Sequence, residues 1–121
     1  MNKKFIYLDH AATTNVDKDA LNEMIPWYTE NYGNPSSIYS IGRKSSVAID
    51  NARNQVADVL KCKDSEVYFS SGGSESDNWA IKGIARAYKK KGNHIITTNI
   101  EHHAVLHTCE YLQKNGYEVT Y

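Results

Sequence analysis

A pair of glycines after a short apolar run is the feature of this sequence that most clearly indicates chemistry. Val67-Tyr68-Phe69 precedes Ser70-Ser71-Gly72-Gly73-Ser74, and a helical pattern begins at Ser74. The first turn of a helix has backbone N–H groups without intrahelical partners, and the helix dipole makes that end positive. Glycines let the backbone approach a ligand closely, and Ser74 offers both an N–H and a hydroxyl. The segment therefore predicts a binding site for an anion such as phosphate.

The same residues permit a second interpretation, in which they only begin the helix. Ser74 and Asp77 have the spacing of a capping box, where a serine caps the helix and an acid reaches back to the backbone. Glu75 and Asp77 would also repel a phosphate unless their side chains point away from it. The segment is neither a Walker loop nor the Gly-x-Gly-x-x-Gly of dinucleotide-binding folds. From this segment alone, an anion site and a simple helix cap both remain open.

A histidine-rich segment is the second candidate for chemistry. It is Glu101-His102-His103-Ala104-Val105-Leu106-His107. His103 and His107 have the i, i+4 spacing that places two side chains on one helix face, as in a metal pair. The His-Glu-x-x-His signature and a nearby third ligand are missing, so we favour exposed polar positions over a zinc site, with the metal pair as the alternative. His102 differs, because it lies where a loop meets the start of a helix.

Two helices are predicted in the first half of the chain from the periodicity of its apolar residues. One runs from Asp17 to about Tyr32 and the other from about Gly42 to Leu60, with the loop 32–37 between them. We expect Asp17 to cap the first helix. We also expect the second helix to carry one apolar stripe. Its members are Ala48, Ala52, Val56, Val59 and Leu60.

The second half predicts the alternation β-α-β-α-β. Strands are expected at 66–70, 94–97 and 117–121, and helices at 74–91 and 103–115, with Gly92 and Gly116 ending the helices. This alternation is typical of an α/β fold with parallel strands. Ligands bind at the carboxyl edge of such a sheet, and the turn 72–74 and His102 would both lie there. The shared edge favours the phosphate interpretation.

Composition and termini limit the classes of function. The chain of 121 residues has 14 basic and 14 acidic side chains, which gives no reason to expect a nucleic-acid partner. The apolar run 5–8 is too short for a signal peptide or a membrane span, so we expect a cytoplasmic protein without a membrane partner. The alternation 117–121 stops without a turn or cap, which indicates a cut chain, with a genuine edge strand as the alternative.

The two cysteines are predicted to be structural or incidental thiols. Cys62 and Cys109 do not form a Cys-x-x-Cys motif, and neither has an activating neighbour in the sequence. Cys109 lies four residues after Val105 and three before Leu112. That spacing predicts a place on the buried face of a helix, where a thiol behaves as a small hydrophobic group.

Four segments of the chain resemble, in order and spacing, the first four motifs of cysteine desulfurases. They are Leu8–Thr14, Gly33–Ser37, Ser71–Asn78 and Thr98–Val105. Cysteine desulfurases are pyridoxal-phosphate enzymes of fold type I in the class V aminotransferase group. The resemblance covers the whole chain but only the N-terminal part of such an enzyme. It implies that 1–62 form an N-terminal arm with helices and that 63–121 begin the cofactor-binding α/β domain, so that 1–121 are one portion of a larger domain.

The resemblance also implies roles for individual residues. Gly73 and Ser74 match the pair, commonly Ala-Thr, that holds the phosphate of pyridoxal 5'-phosphate. His102 matches the histidine that stacks on the pyridine ring and assists proton transfers. Asn34 and the segment 11–14 match residues near the active site. Glycine and serine at 73 and 74 keep the hydrogen-bond donors of the usual pair, so the mode of binding is expected to be retained.

The implied activity is sulfur transfer from L-cysteine through a protein persulfide, which leaves L-alanine and supplies iron–sulfur cluster or thio-cofactor assembly. The implied partners are a second copy in a homodimer and a sulfur acceptor or iron–sulfur scaffold protein. No residue of this chain matches the Schiff-base lysine or the persulfide cysteine, so we expect the 121 residues alone to be inactive. The alternatives are a selenocysteine lyase or aminotransferase of the same group, or a non-catalytic fragment with a binding or scaffold role.

Overall fold

The computed structural model describes residues 5–121, which contain four α-helices, a short 3-10 helix and two short strands. In chain order these are α1 (Lys18–Thr29), α2 (Ser40–Leu60), the 3-10 helix (Asp64–Glu66), α3 (Gly73–Tyr88), β1 (His94–Ile96), α4 (His103–Lys114) and β2 (Glu118–Thr120). The chain divides into a first compact unit that ends at Val67 and a second that comprises Tyr68–Tyr121. None of the helices within 5–121 is long and apolar enough to cross a membrane.

Helix α1 begins as the sequence predicts. Asp17 is the N-cap, and its Oδ1 accepts a hydrogen bond of 2.8 Å from the backbone N–H of Asp19. The helix ends at Thr29, three residues before the predicted Tyr32, and the N–H of Glu30 donates to the carbonyl of Pro26 at 2.9 Å. No residue of α1 is buried. The capping side chain, and not a core, therefore defines where this helix begins.

Helix α2 has the predicted extent, but the predicted apolar stripe is wrong in part. Its buried residues are Gly42, Ser45 and Ala57, whereas the side chains of Val59 and Leu60 are 80% and 66% exposed. A Cβ at position 42 would collide with the carbonyl of Asn34, so only glycine permits the loop 33–37 to lie this close. The burial of Gly42 thus follows the position of that loop and not the apolar periodicity.

The second unit is a parallel β-α-β arrangement with α3 packed against α4. Strands β1 and β2 pair in parallel, with His94 opposite Glu118 and Ile96 opposite Thr120. The core is centred on the buried face of α4, whose residues Thr108, Cys109 and Leu112 are at most 2% exposed. The prediction that Cys109 is buried is therefore confirmed.

Gly116 ends α4 with a φ of 86°, which is also as predicted. The corresponding prediction for Gly92 is wrong, because α3 ends at Tyr88 with Lys89 as its C-cap and Gly92 lies beyond it without a positive φ. The N–H of Gly92 still donates to the carbonyl of Tyr88 at 3.3 Å. The hydroxyl of Tyr117 donates to the carbonyl of Ala85 at 3.1 Å, which links the end of α4 to α3.

The predicted first strand at 66–70 is wrong. Glu66 ends the 3-10 helix, and residues 67–70 pair with no described strand. Val67 has extended dihedral angles, φ −101° and ψ 123°, but its carbonyl accepts a hydrogen bond of 3.2 Å from Arg53 Nε. A strand requires a partner strand for its backbone groups, and apolar sequence alone does not supply one. The described chain is therefore a partial α/β domain with a two-stranded parallel sheet.

Candidate functional site

The start of α3 has backbone donors without intrahelical partners, next to open space at Gly72 and Gly73. Gly72 is the N-cap, with φ 158° and ψ −179°, and no side chain caps the helix through it. The first intrahelical hydrogen bond runs from the N–H of Ser76 to the carbonyl of Gly72, at 3.1 Å. The N–H groups of residues 73–75 therefore precede the hydrogen-bond ladder of the helix. A Cβ built on Gly72 or Gly73 would meet no atom within 4 Å, so an anion has room to approach.

The capping box predicted for Ser74 and Asp77 is wrong. Ser74 lies inside the first turn, and its carbonyl accepts a hydrogen bond of 2.9 Å from Asn78 Nδ2. The acid that reaches back is Glu75, whose Oε2 accepts hydrogen bonds from the N–H and the hydroxyl of Ser71 at 2.6 and 2.7 Å. Glu75 is three residues after the N-cap, the position from which an acid can turn back. The Ser74 hydroxyl is thus not needed as a cap.

The hydrogen bonds from Ser71 also lower the pKa of the Glu75 carboxyl, with the backbone N–H as the largest cause. The negative charge of Glu75 is therefore held at Ser71, on the loop before the helix. The hydroxyls of Ser70 and Ser76 are 2.6 Å apart, which ties the same loop to the first turn of α3. Sequence reasoning missed this support, and the serines placed before an acid in the first turn were the available signal.

Sequence reasoning also missed a set of side-chain contacts that supports the first turn of α3. Lys82 Nζ donates to Asn78 Oδ1 at 2.6 Å, and the same Nζ lies 4.7 Å from the centroid of the Tyr111 ring on α4. The bond to Lys82 fixes which end of the Asn78 amide faces Ser74. The first turn of α3 is thus connected to α4 through side chains as well as through helix packing.

His102 is the N-cap of α4. Its Nδ1 accepts a hydrogen bond of 3.1 Å from the backbone N–H of Ala104, and the residue is exposed. With Nδ1 as acceptor, the neutral ring carries its proton on Nε2, which remains available to a ligand. The sequence placed His102 at a junction of loop and helix, and this is confirmed, whereas its capping role was not foreseen.

The second unit contains all three predicted site residues, Gly73, Ser74 and His102. Helices α3 and α4 pack against each other, so the two helix starts belong to one packed pair. His102 follows the carboxyl end of β1, as expected for a ligand-binding edge. Residues 67–70, which precede Gly72, pair with no strand among the described residues. The carboxyl edge of the sheet therefore explains the position of His102 but not that of Gly73 and Ser74.

The sequence singled out three further residues, Asn34, His103 and His107. Asn34 is in the first unit, where its Oδ1 accepts a hydrogen bond of 2.9 Å from the N–H of Ser36. His103 and His107 are exposed, and their rings stack with centroids 5.3 Å apart. Within residues 5–121, no group of three or more His, Cys, Asp or Glu side chains could hold a metal ion.

The second unit thus combines an open helix start with a histidine-capped helix that packs against it in a parallel α/β arrangement. Residues 6–121 match the family model described as aminotransferase class-V, and the chain belongs to this family. The resemblance to cysteine desulfurases is confirmed by individual relatives.

The cysteine desulfurase IscS of Clostridium botulinum strain Hall is 57% identical over all 121 residues, which are 30% of that protein. The cysteine desulfurase IscS of Methanosarcina thermophila is 59% identical over 118 residues, or 98% of this chain and 29% of the relative. The chain therefore spans about 30% of the length of these curated relatives.

Solved structures support the same family. A NifS-like protein superposes with a TM-score of 0.89 and 45% identity, over 96% of this chain and 32% of its own. SspA in complex with cysteine superposes with a TM-score of 0.86 and 43% identity, over 95% of this chain and 33% of its own.

Proposed function

We propose that this chain is the N-terminal part of a cysteine desulfurase that uses pyridoxal 5'-phosphate. The observation that carries the proposal is that proteins named cysteine desulfurase IscS are 50–59% identical over 96–100% of the chain. A similar protein, SspA, has been obtained in complex with cysteine, which supports L-cysteine as the substrate. The reaction would transfer the sulfur of L-cysteine through a protein persulfide, leave L-alanine, and supply iron–sulfur cluster or thio-cofactor assembly.

The start of α3 fits the phosphate of the cofactor. Three backbone N–H groups precede the helical ladder there, the glycines leave open space, and Glu75 is bonded to Ser71. Gly73 and Ser74 would hold the phosphate through their N–H groups and the Ser74 hydroxyl. When bound, pyridoxal phosphate supplies an electron sink for reactions of an amino-acid substrate.

His102 fits the role of a residue that orients the cofactor ring and moves a proton. The bond from the Ala104 N–H fixes Nδ1, which limits rotation of the imidazole. Nε2 then carries the proton of the neutral ring and can donate it, and the flat ring can stack on a heteroaromatic ring. Capping α4 and serving the cofactor use different parts of the same side chain, so both roles are compatible.

Neither thiol in the chain suits the role of sulfur acceptor. Cys109 is 1% exposed, and burial raises the pKa of its thiol, which disfavours the nucleophilic thiolate. Cys62 is exposed just after α2, but it stands in none of the segments that match desulfurase motifs. We therefore assign the persulfide cysteine, like the Schiff-base lysine, to sequence outside these 121 residues.

The remaining expectations from the family belong to the same proposal. We expect the full-length protein to act as a cytoplasmic homodimer that passes sulfur to an acceptor or iron–sulfur scaffold protein. The 121 residues alone are expected to be inactive, because they hold the phosphate contacts and the ring-stacking histidine but not the covalent anchor of the cofactor.

The proposal is tested by measuring alanine and sulfide from L-cysteine with pyridoxal phosphate, in the full-length protein and in residues 1–121. We expect turnover by the full-length protein and none above the rate of the free cofactor by the short chain. Activity on L-selenocysteine alone would indicate a lyase, and an oxo acid in place of alanine would indicate an aminotransferase. Turnover by the short chain would disprove its assignment as inactive.

A further inference from the structure

His103 and His107 form a pair of metal-ligating side chains one turn apart on α4. Their ring centroids are 5.3 Å apart, with 24° between the ring planes, and both residues are exposed. Neither ring is hydrogen-bonded to another described residue, in contrast to His102, whose Nδ1 is bonded to the backbone of α4. Within residues 5–121, both imidazoles are thus available to a ligand from solvent.

We propose that His103 and His107 together bind one divalent transition-metal ion, with Cu²⁺ bound most tightly. With metal–nitrogen bonds of about 2.0–2.1 Å, two imidazoles on one ion place their centroids roughly 4.5–5 Å apart. The observed centroid distance is close to this value, because the helix holds positions i and i+4 on one face.

One adjustment of the rings is needed for binding. A metal ion lies in the plane of each imidazole that binds it, and two planes at 24° are too nearly parallel to share an ion at this distance. Rotation about the Cβ–Cγ bonds corrects this, since that torsion has a broad energy profile and the exposed rings are free to turn. The backbone of α4 need not move.

The chemistry of the pair selects the class of ion. Imidazole suits copper, nickel and zinc, and the general order of affinity puts Cu²⁺ above Ni²⁺ and Zn²⁺. Mg²⁺ and Ca²⁺ prefer oxygen ligands and are expected not to bind. Water would complete the coordination, because no third ligand from residues 5–121 joins the pair.

The position of the pair near the start of α4 weakens the binding of a cation. The positive end of the helix dipole weakens cation binding by about two- to fivefold at an exposed site. A second ring on the same ion strengthens binding by roughly tenfold or more, since the second bond forms within one molecule. The two-ring site is therefore expected to bind the metal ion more tightly than any single exposed histidine of the chain does.

The test titrates Cu²⁺, and separately Ni²⁺, Zn²⁺ and Mg²⁺, into the untagged full-length protein with Cys62 and every other exposed cysteine replaced by serine, which removes competing thiols. We expect one strong Cu²⁺ site, weakened at least ~10-fold by His103→Asn and equally by His107→Asn. His94→Asn is the matched control and should leave the affinity unchanged, since it removes an exposed imidazole elsewhere in the unit. The metal alone is the probe, so the outcome does not depend on the desulfurase proposal.

Electron paramagnetic resonance of the same protein without exposed thiols, loaded with Cu²⁺, gives a second measurement, which does not rely on variants at the site. Two imidazole nitrogens in the spectrum, reduced to one by either substitution, support the pair. A single imidazole nitrogen in that protein would overturn the proposal. Equal Cu²⁺ affinity in the His103→Asn/His107→Asn double variant would overturn it as well.

Discussion

Helices α1 and α3 begin in opposite ways. The start of α1 is closed by its own carboxylate, because Asp17 Oδ1 accepts the N–H of Asp19 at 2.8 Å. The start of α3 has glycine at the N-cap, and its acid, Glu75, turns back to the preceding loop. A helix closed by its own anion has little left to offer a ligand, whereas an open start can bind an anion from solution. The proposed phosphate site therefore lies at α3 and not at α1.

Helix α4 adds a third kind of start, which a neutral group closes. His102 caps α4 through Nδ1 at 3.1 Å, so no negative charge is placed there. An imidazole that caps a helix through one nitrogen still has a second ring nitrogen that can donate a proton. An ionised carboxylate in the same place has no proton to donate. The start of α4 is thus capped, and Nε2 of the capping histidine remains available as a proton donor.

The largest expected effect comes from removing this imidazole. His102→Ala in the full-length protein should slow the proton-transfer steps by ~10²–10⁴-fold and shift the absorption spectrum of the bound cofactor. His94→Gln is the matched control, because His94 is exposed at the opposite end of β1 and its Nε2 is 2.8 Å from Thr120 Oγ1. Similar losses in both variants, measured by single-turnover kinetics, would mean that His102 acts only through folding.

Closing the start of α3 with an acid should make it resemble α1. Ser74→Asp should weaken cofactor retention by roughly tenfold or more, because a carboxylate would repel the phosphate. Ser76→Asp should have a smaller effect, since Ser76 lies beyond the first N–H groups and its hydroxyl is bonded to Ser70. The visible absorbance of bound cofactor after dialysis measures retention. Equal retention in the two variants would leave the start of α3 with a structural role only.

Opening the start of α1 should have the smallest effect. Asp17→Ala removes the capping bond to Asp19 and should lower the free energy of unfolding by about 0.5–2 kcal/mol. Ser74→Ala should change it by no more than about 0.5 kcal/mol, because Ser74 is not a cap. Urea unfolding followed by circular dichroism measures both. A larger loss from Ser74→Ala would contradict the contrast between the two helix starts.

Local signals in the sequence predicted several features correctly. Asp17 caps α1, Gly116 ends α4 with positive φ, and Cys109 is buried. Each depends on spacing within one element, on a short polar side chain, or on a residue without a Cβ, so neighbours in sequence suffice to specify it.

Other features depended on contacts that the sequence does not encode locally. The helix-start motif at 70–78 was recognised, but the acid that turns back proved to be Glu75 and not Asp77. Both acids are near the start, and only the position of the N-cap at Gly72 decides which one has the right spacing. A shift of two residues in the helix start changed the role of Ser74 from a cap to a candidate ligand-binding residue.

By itself, the sequence determined the helices, the glycine-rich turn and the family, because each depends on residue types at fixed short spacings. Tertiary structure alone decided that residues 67–70 have no partner strand among residues 5–121, and that Gly42 and Ser45 are buried on α2 while Val59 is exposed. It also decided that His102 uses Nδ1 as a cap and keeps Nε2 for a ligand. Pairing, burial and the choice of a ring nitrogen each depend on where separate groups meet in space, and local periodicity does not carry that information.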